Sequence, residues 1–272
     1  LSKSAVSRTL ASLEDHFQAW RSRDLSGERI LYLFLDGQYQ ALRSGTEEKE
    51  GVLVAYGIRE DGRPVLLHLA AGPRESYDAW LGMLHELVER GLNEPLLVVF
   101  DGNPGLKRAV REVFPHAHRQ RCQVHKMRNI LGKLPKLARA QMKRLVQQVF
   151  LAPSYAAGLK RGKALIARFR GRYPDAMACL EADLAECLAF LHFPAEHHKR
   201  IRTTNLIERT FEESRRRSKV VPRFPTEGSC LSLMYATLIT ASASWRGVQM
   251  TPKILRALDQ LRATEKKELM AA

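Results

Sequence analysis

The stretch Ile30-Leu31-Tyr32-Leu33-Phe34-Leu35-Asp36-Gly37 is an unbroken apolar run closed by an aspartate and a glycine, and Leu96-Leu97-Val98-Val99-Phe100-Asp101-Gly102 repeats the pattern. Apolar runs without polar alternation belong to strands covered on both faces. Each therefore predicts a buried strand ending in a carboxylate, where a sheet opens to solvent. Neighbouring strands lie about 4.8 Å apart, so two such strands side by side would set Asp36 next to Asp101. Two carboxylates at that distance repel unless a cation stands between them. The pair thus points to a divalent metal and to metal-assisted phosphoryl chemistry. The plainer alternative makes both of them turn aspartates before glycine, as Asp61-Gly62 is taken to be.

Working outward, a loop with Arg43 and several glutamates follows the first run. Two more strands come next, Gly51 to Ile58 and Pro64 to Ala70, joined by the hairpin turn Glu60-Asp61-Gly62-Arg63. Glu75 to Arg90 has helical spacing through Trp80, Leu84 and Leu87 and is closed by Gly91. The Asp101 strand precedes a helix from Pro104 to Val113, with proline in its first turn, and Ala117 to Cys122 makes a short fifth strand. Three strands in a meander, a helix, a strand, a helix and a last strand is the order of a ribonuclease H-like α/β core. That core is a mixed five-stranded sheet with flanking helices, in which the first and fourth strands are parallel neighbours. From Ile130 to about Lys199 the pattern is helical, with breaks at Pro153, Gly171 and Pro174, and predicts an all-helical insertion. Helices over Asn205 to Arg217 and Leu231 to Trp245 follow, Trp245 being read as core, then a charged amphipathic tail from Thr251. Leu1 to Arg8 suits the second helix of a helix-turn-helix, capped by Ser2 or Ser4. It equally suits the start of an amphipathic helix running through Leu10, Leu13, Phe17 and Trp20.

The charge is uneven. The 272 residues carry 44 Lys and Arg against 29 Asp and Glu, a formal net charge of +15. Val113 to Pro174 contains no acidic residue and 15 basic ones, which leaves 29 basic and 29 acidic side chains elsewhere. One contiguous block supplies the whole excess, and nucleic acid is the polyanion that explains it best. A solvated basic surface is the bland alternative. A membrane surface is disfavoured, because no long basic amphipathic helix with bulky aromatic anchors is present.

The four cysteines, Cys122, Cys179, Cys187 and Cys230, form no disulfide framework, and Cys179 and Cys187 fall in an apolar helical pattern. A reducing, cytoplasmic location is expected, with neither a signal peptide nor a long apolar run to export or anchor the chain. A first residue that is leucine suggests a piece of a longer protein.

A two-metal phosphodiester site needs a third carboxylate, and hard oxygen ligands suit Mg²⁺ or Mn²⁺. Glu208 is the candidate, in Arg200-Ile201-Arg202-Thr203-Thr204-Asn205-Leu206-Ile207-Glu208-Arg209. Lys199 to Arg223 holds nine Lys or Arg and three Glu, so a glutamate there can bind metal while its neighbours hold phosphates. Asn205 and Glu208 also have capping-box spacing, which leaves a purely structural role open. Glu212 and Glu213 are weaker alternates. Cys122-Gln123-Val124-His125 has the spacing of half a zinc site, with His116 and His118 upstream, but no second pair matches it. A structural or DNA-proximal role is preferred. His197 and His198 are read as surface or phosphate contacts.

These motifs together resemble the Mutator-type transposases of bacterial insertion sequences, a class of DDE recombinases. The resemblance covers about Leu1 to Trp245. It is carried by Leu35-Asp36-Gly37 with Arg43, Phe100-Asp101-Gly102 with Gly105-Leu106, and Phe114-Pro115 with Gln120-Arg121-Cys122-Gln123-Val124-His125-Lys126-Met127-Arg128-Asn129. The Arg202-to-Arg209 run completes it. It implies a ribonuclease H-like domain interrupted by a helical insertion between the second aspartate and the glutamate, and it makes Asp36, Asp101 and Glu208 the catalytic, metal-binding triad. It further implies a supporting role for Cys122 and His125, and that most of the family's N-terminal DNA-binding region is absent.

The expected organisation is a remnant of that region at 1–27, the first part of the catalytic core at 28–129, the insertion at 130–199, the second part of the core at 200–245 and a helical tail at 246–272. The expected activity is DNA cleavage and joining at the ends of a mobile element, with two Mg²⁺ (or Mn²⁺) ions. The partners are then terminal inverted repeats and target DNA, met by a homodimer or higher homo-oligomer at the bacterial nucleoid and no membrane. Arg43, Lys126, Arg128, Arg202, Arg209, Arg215, Arg216 and Arg217 are expected to contact phosphates. A ribonuclease H-fold nuclease without strand joining and a non-catalytic transposase-derived DNA-binding protein are the alternatives.

Overall fold

The structure is a computed structural model that describes residues 2–40, 50–72, 76–218 and 227–271. In chain order its elements are α1 (Lys3–Arg21), β1 (Ile30–Gln40), β2 (Glu50–Arg59), β3 (Pro64–Gly72), α2 (Tyr77–Glu89), β4 (Leu97–Phe100), α3 (Pro104–Val113) and β5 (His118–Arg121). Then come α4 (Gln123–Gly132), α5 (Lys136–Phe150), α6 (Tyr155–Phe169), α7 (Pro174–Ala182), α8 (Leu184–Leu188), α9 (His198–Ile201), α10 (Asn205–Ser218), α11 (Glu227–Ser242) and α12 (Pro252–Ala271), with two short 3₁₀ turns before α9. The five strands form one mixed sheet in the order β3-β2-β1-β4-β5. That is the expected ribonuclease H-like α/β fold. No described helix is long and apolar enough to cross a membrane.

The chain divides into two compact units. The first comprises Leu1–Pro95, Asn103–His116 and Asn205–Gly247. Within it β1 and β2 pair antiparallel, with Asp36 opposite Val54, and β2 pairs antiparallel with β3. Residues Ile30 to Leu35 are all buried, as the unbroken apolar run requires. Phe34 stacks on Tyr56 at 4.3 Å, and the half-buried Trp245 meets Tyr56 edge-on at 5.1 Å. Helix α1 is one continuous helix, the amphipathic alternative, and its fully buried Phe17 lies with Trp20 against Tyr235 of α11. Ser76 caps α2 by accepting from the Ala79 N–H, and Asn103 caps α3 through the Leu106 N–H.

A polar network closes the outer side of this unit. His68 of β3 is fully buried, its Nδ1 accepts from Arg90 at 3.2 Å, and its Nε2 faces Glu86 at 3.5 Å. Burial holds its pKa down at about 4, more than offsetting the raising effect of Glu86. A histidine whose folded pKa is depressed takes up protons more readily when unfolded, so its contribution is complete above about pH 6.5 and lost as the pH falls towards 4. The expected cost across that window is about 3 kcal/mol at most, read from chemical denaturation at both ends of it. In His68→Gln that part of the slope should vanish.

The second unit comprises Leu96–Gly102, Ala117–Thr204 and Val248–Ala272. Here β4 and β5 run parallel, with Phe100 opposite Arg121. The helices α4 to α8 share one apolar core that includes Ile130, Val146, Leu165, Met177 and Leu188. Gly158 and Gly162 let α6 approach Leu188 and Leu184, whose methyls would meet an added Cβ at 2.9 and 2.6 Å. The helical region was expected from Ile130, yet α4 begins at Gln123, directly after β5.

Candidate active site

Asp36 lies inside β1. The strand runs on through Gly37 to Gln40, still paired to β2, so the expected end at Asp36 is corrected and no turn follows it. Asp36 is only 4% exposed. In the same unit α10 packs against β1, and Glu208 stands in its first turn, half-buried. Asn205 is already helical, and its buried Oδ1 accepts no hydrogen bond. The capping-box alternative for Glu208 is therefore not realised, because Thr204 precedes the helix and Glu208 falls one position late. Glu212 is exposed and points to no special role.

Asp101 directly follows β4 in the second unit and is half-buried. Gly102 after it has φ +90°, a left-handed conformation that glycine adopts without strain. A Cβ there would overlap the guanidinium of Arg121, which lies across the corner. Arg121 itself is buried at the end of β5, and its Nε is 3.4 Å from Asp183 Oδ2. Lys126 Nζ donates to the same oxygen at 2.6 Å. Around this ion cluster, Gln120 Nε2 donates to the Arg121 and Cys187 carbonyls, its Oε1 accepts from the Phe190 N–H, and Gln123 Nε2 donates to the Cys187 carbonyl.

Cys122 and His125 sit at the β5–α4 corner. The buried Sγ accepts from the Thr204 N–H at 3.4 Å and its hydroxyl at 3.5 Å, and the Gln123 N–H donates to the Arg202 carbonyl at 3.1 Å. Burial pushes the thiol pKa up, but the His125 hydrogen bond and charge, with Thr204, outweigh it and leave it below the usual value. Cys122 and the Gln123 N–H thus fasten the Arg202–Thr204 segment, with His125 bonded to the thiol. All four cysteines are free.

The expected phosphate contacts divide. Arg128 and Arg216 are exposed and Arg202 is half-buried. Lys126 is a correction: 3% exposed and joined to Asp183, it spends its charge inside the unit. His197 is a second correction, since it is fully buried and its Nε2 bonds the Gln249 carbonyl at 2.9 Å, while His198 Nε2 bonds the Phe193 carbonyl. Arg43 lies outside the described residues, as do the side chains of Arg209, Glu213, Arg215 and Arg217. Sequence reasoning missed Gln120 and Asp183. Gln120 lay within a quoted motif; nothing local marked Asp183.

Oxygen donors such as Asp36, Asp101 and Glu208 have the chemistry that Mg²⁺ or Mn²⁺ takes. Among the described residues, no group of three or more His, Cys, Asp or Glu is arranged to hold a metal ion.

Comparison with known proteins gives this site its context. The model of the Mutator family of transposases matches residues 1–247. The chain is 38% identical over 248 residues to the transposase for insertion sequence element IS6120 of Mycolicibacterium smegmatis, covering 91% of this chain and 76% of that protein. It is 35% identical over 258 residues to the transposase for element IST2 of Acidithiobacillus ferrooxidans, covering 94% and 86%. To the transposase for element ISRM5 of Rhizobium meliloti it is 36% identical over 249 residues, covering 90% and 61%. A match running through both aspartates, the C-x-x-H corner and Glu208 places this chain in the Mutator family of transposases.

Proposed function

We propose that this protein cuts and joins DNA at the ends of a mobile element, with Asp36, Asp101 and Glu208 holding Mg²⁺ or Mn²⁺. The observation that carries this reading is the burial of Asp36 on the strand against which the Glu208 helix packs. Asp36 and Glu208 thus offer carboxylate oxygens, the donors that Mg²⁺ and Mn²⁺ take, from packed elements of one unit. Bringing all three carboxylates together is part of the proposal.

In this mechanism Asp36, Asp101 and Glu208 would hold the metal. The metal, when bound, supplies charge neutralisation and an acidified hydroxyl for in-line attack. Exposed Arg128 and Arg216, with the half-buried Arg202, hold backbone phosphates and so fix the DNA register. Two copies acting together, one for each element end, complete the assembly.

A joining assay tests this. The full protein receives an oligonucleotide with a free 3′-hydroxyl at an element end, a target plasmid and Mg²⁺. Joined product that disappears with chelator is the expected result. Cleavage without joining would favour a nuclease, and DNA binding with neither would favour a non-catalytic DNA-binding protein.

A further inference from the structure

We propose that Asp183, between α7 and α8 of the helical insertion, is a positioning residue for the Asp101-Gly102 corner and acts through the Arg121 guanidinium. The inference rests on the reading of Asp101 as a metal ligand.

Three observations within the second unit converge on it. First, the Arg121 side chain lies where any Cβ on Gly102 would have to be, so the guanidinium is the surface on which the corner rests. The left-handed φ of Gly102 is compatible with that close approach and with little else. Second, Arg121 and Lys126 are both almost fully buried and both face one oxygen of Asp183, Lys126 through a hydrogen bond and Arg121 Nε at an ion-pair distance of 3.4 Å without one. Two cations withdrawn from water around one carboxylate hold each other's geometry tightly, because moving either leaves a buried charge poorly paired. Third, Asp183 is itself fixed: it sits at a break between two helices, and its carbonyl accepts from the Cys187 N–H, whose own carbonyl is gripped by Gln120 and Gln123. Gln120 is the residue before Arg121, so the insertion and the end of β5 are locked through both backbone and side chain. A shift of the insertion would therefore move Arg121 and, with it, the support under Asp101-Gly102.

This gives the insertion a second task besides carrying basic charge. Asp183 needs no contact with substrate or metal to affect the reaction. Its substitution should alter the mobility of the corner and the metal requirement together.

The test combines amide hydrogen exchange over residues 100–103 with joining assays on the full protein, for Asp183→Asn, Asp183→Glu and the control Glu181→Gln, which removes only an exposed pair with Arg170. Asp183→Asn should speed exchange in that segment by about tenfold, with α11 unaffected, and raise the Mg²⁺ concentration for half-maximal joining by about tenfold at unchanged DNA affinity. Asp183→Glu should restore most of both effects, and Glu181→Gln should leave both at the wild-type level. If Asp183→Asn fails to fold, Arg121→Lys serves instead: it keeps the charge facing Asp183, loses the planar surface over Gly102, and should give the same exchange signature. Unchanged exchange at 100–103 in the folded variant, or lower joining with an unaltered Mg²⁺ requirement, would overturn the proposal. A wild-type protein that joins nothing with Mg²⁺ would sink the catalytic reading, and the exchange result would still decide whether Asp183 supports the corner.

Discussion

Asp36→Asn, Asp101→Asn and Glu208→Gln are each expected to reduce DNA cleavage and joining by roughly 10³-fold or more, with DNA affinity changed by less than about threefold. The substitutions are isosteric and remove one negative charge. They should leave the packing of β1 and α10 intact while weakening the hold on a divalent cation by several kcal/mol, of which about 4 corresponds to that rate loss. Asp36→Asn has a further expected signature. Asp36→Asn should lose the thermal stabilisation that Mg²⁺ gives the wild type, because the amide no longer offers the charged oxygen that a divalent cation takes. Joining assays, filter binding and metal-dependent melting on the same samples separate these effects. A variant that still joins strands with Mg²⁺ at the wild-type rate would remove its residue from the mechanism.

Salt should act as strongly on binding as these substitutions act on catalysis. Of the 15 basic residues in the acid-free block, 12 are exposed, among them Lys136, Arg139, Lys143, Arg144, Lys160, Arg161 and Lys163. Enough cations are thus available to neutralise 6 to 10 phosphates, and on that scale affinity falls about 10³- to 10⁵-fold between about 50 and 200 mM salt. Lys143→Gln and Arg144→Gln together should lower the slope of log affinity against log salt by about two, equally for element ends and for unrelated DNA. By contrast, Lys126→Gln should leave that slope unchanged, since Lys126 is committed to Asp183. A slope near zero in the wild type would mean that the block is surface charge without a nucleic-acid role.

Much of this was legible in the sequence because it is local. The apolar run from Ile30 to Leu35 specified a covered strand, and Pro104 marked the start of α3. The two Asp-Gly pairs show where locality ends. The same dipeptide continues a strand at Asp36-Gly37, where β2 supplies pairing partners as far as Gln40. At Asp101-Gly102 it makes a left-handed corner, where β4 stops and the side chain of Arg121 fills the space beside the glycine. Neither outcome is encoded within the dipeptide. The ion cluster is a stronger case: Asp183 pairs with Lys126 from 57 residues away, so no spacing rule could reveal it, and Lys126 looked like one more cation of a basic motif. Likewise Cys122 meets Thr204 across 82 residues, which is why a C-x-x-H motif suggested half a zinc site before its hydrogen bonds gave it a fastening role.

Whether three carboxylates gather around one metal site is the question on which the proposed chemistry turns. The most direct measurement is a crystal structure of the full protein with element-end DNA and Mn²⁺, using anomalous scattering to locate the ions. The expected result is an anomalous peak with oxygens of Asp36, Asp101 and Glu208 at roughly 2.0–2.2 Å. A peak bound elsewhere, or Glu208 turned away from the two aspartates while DNA is in place, would contradict it.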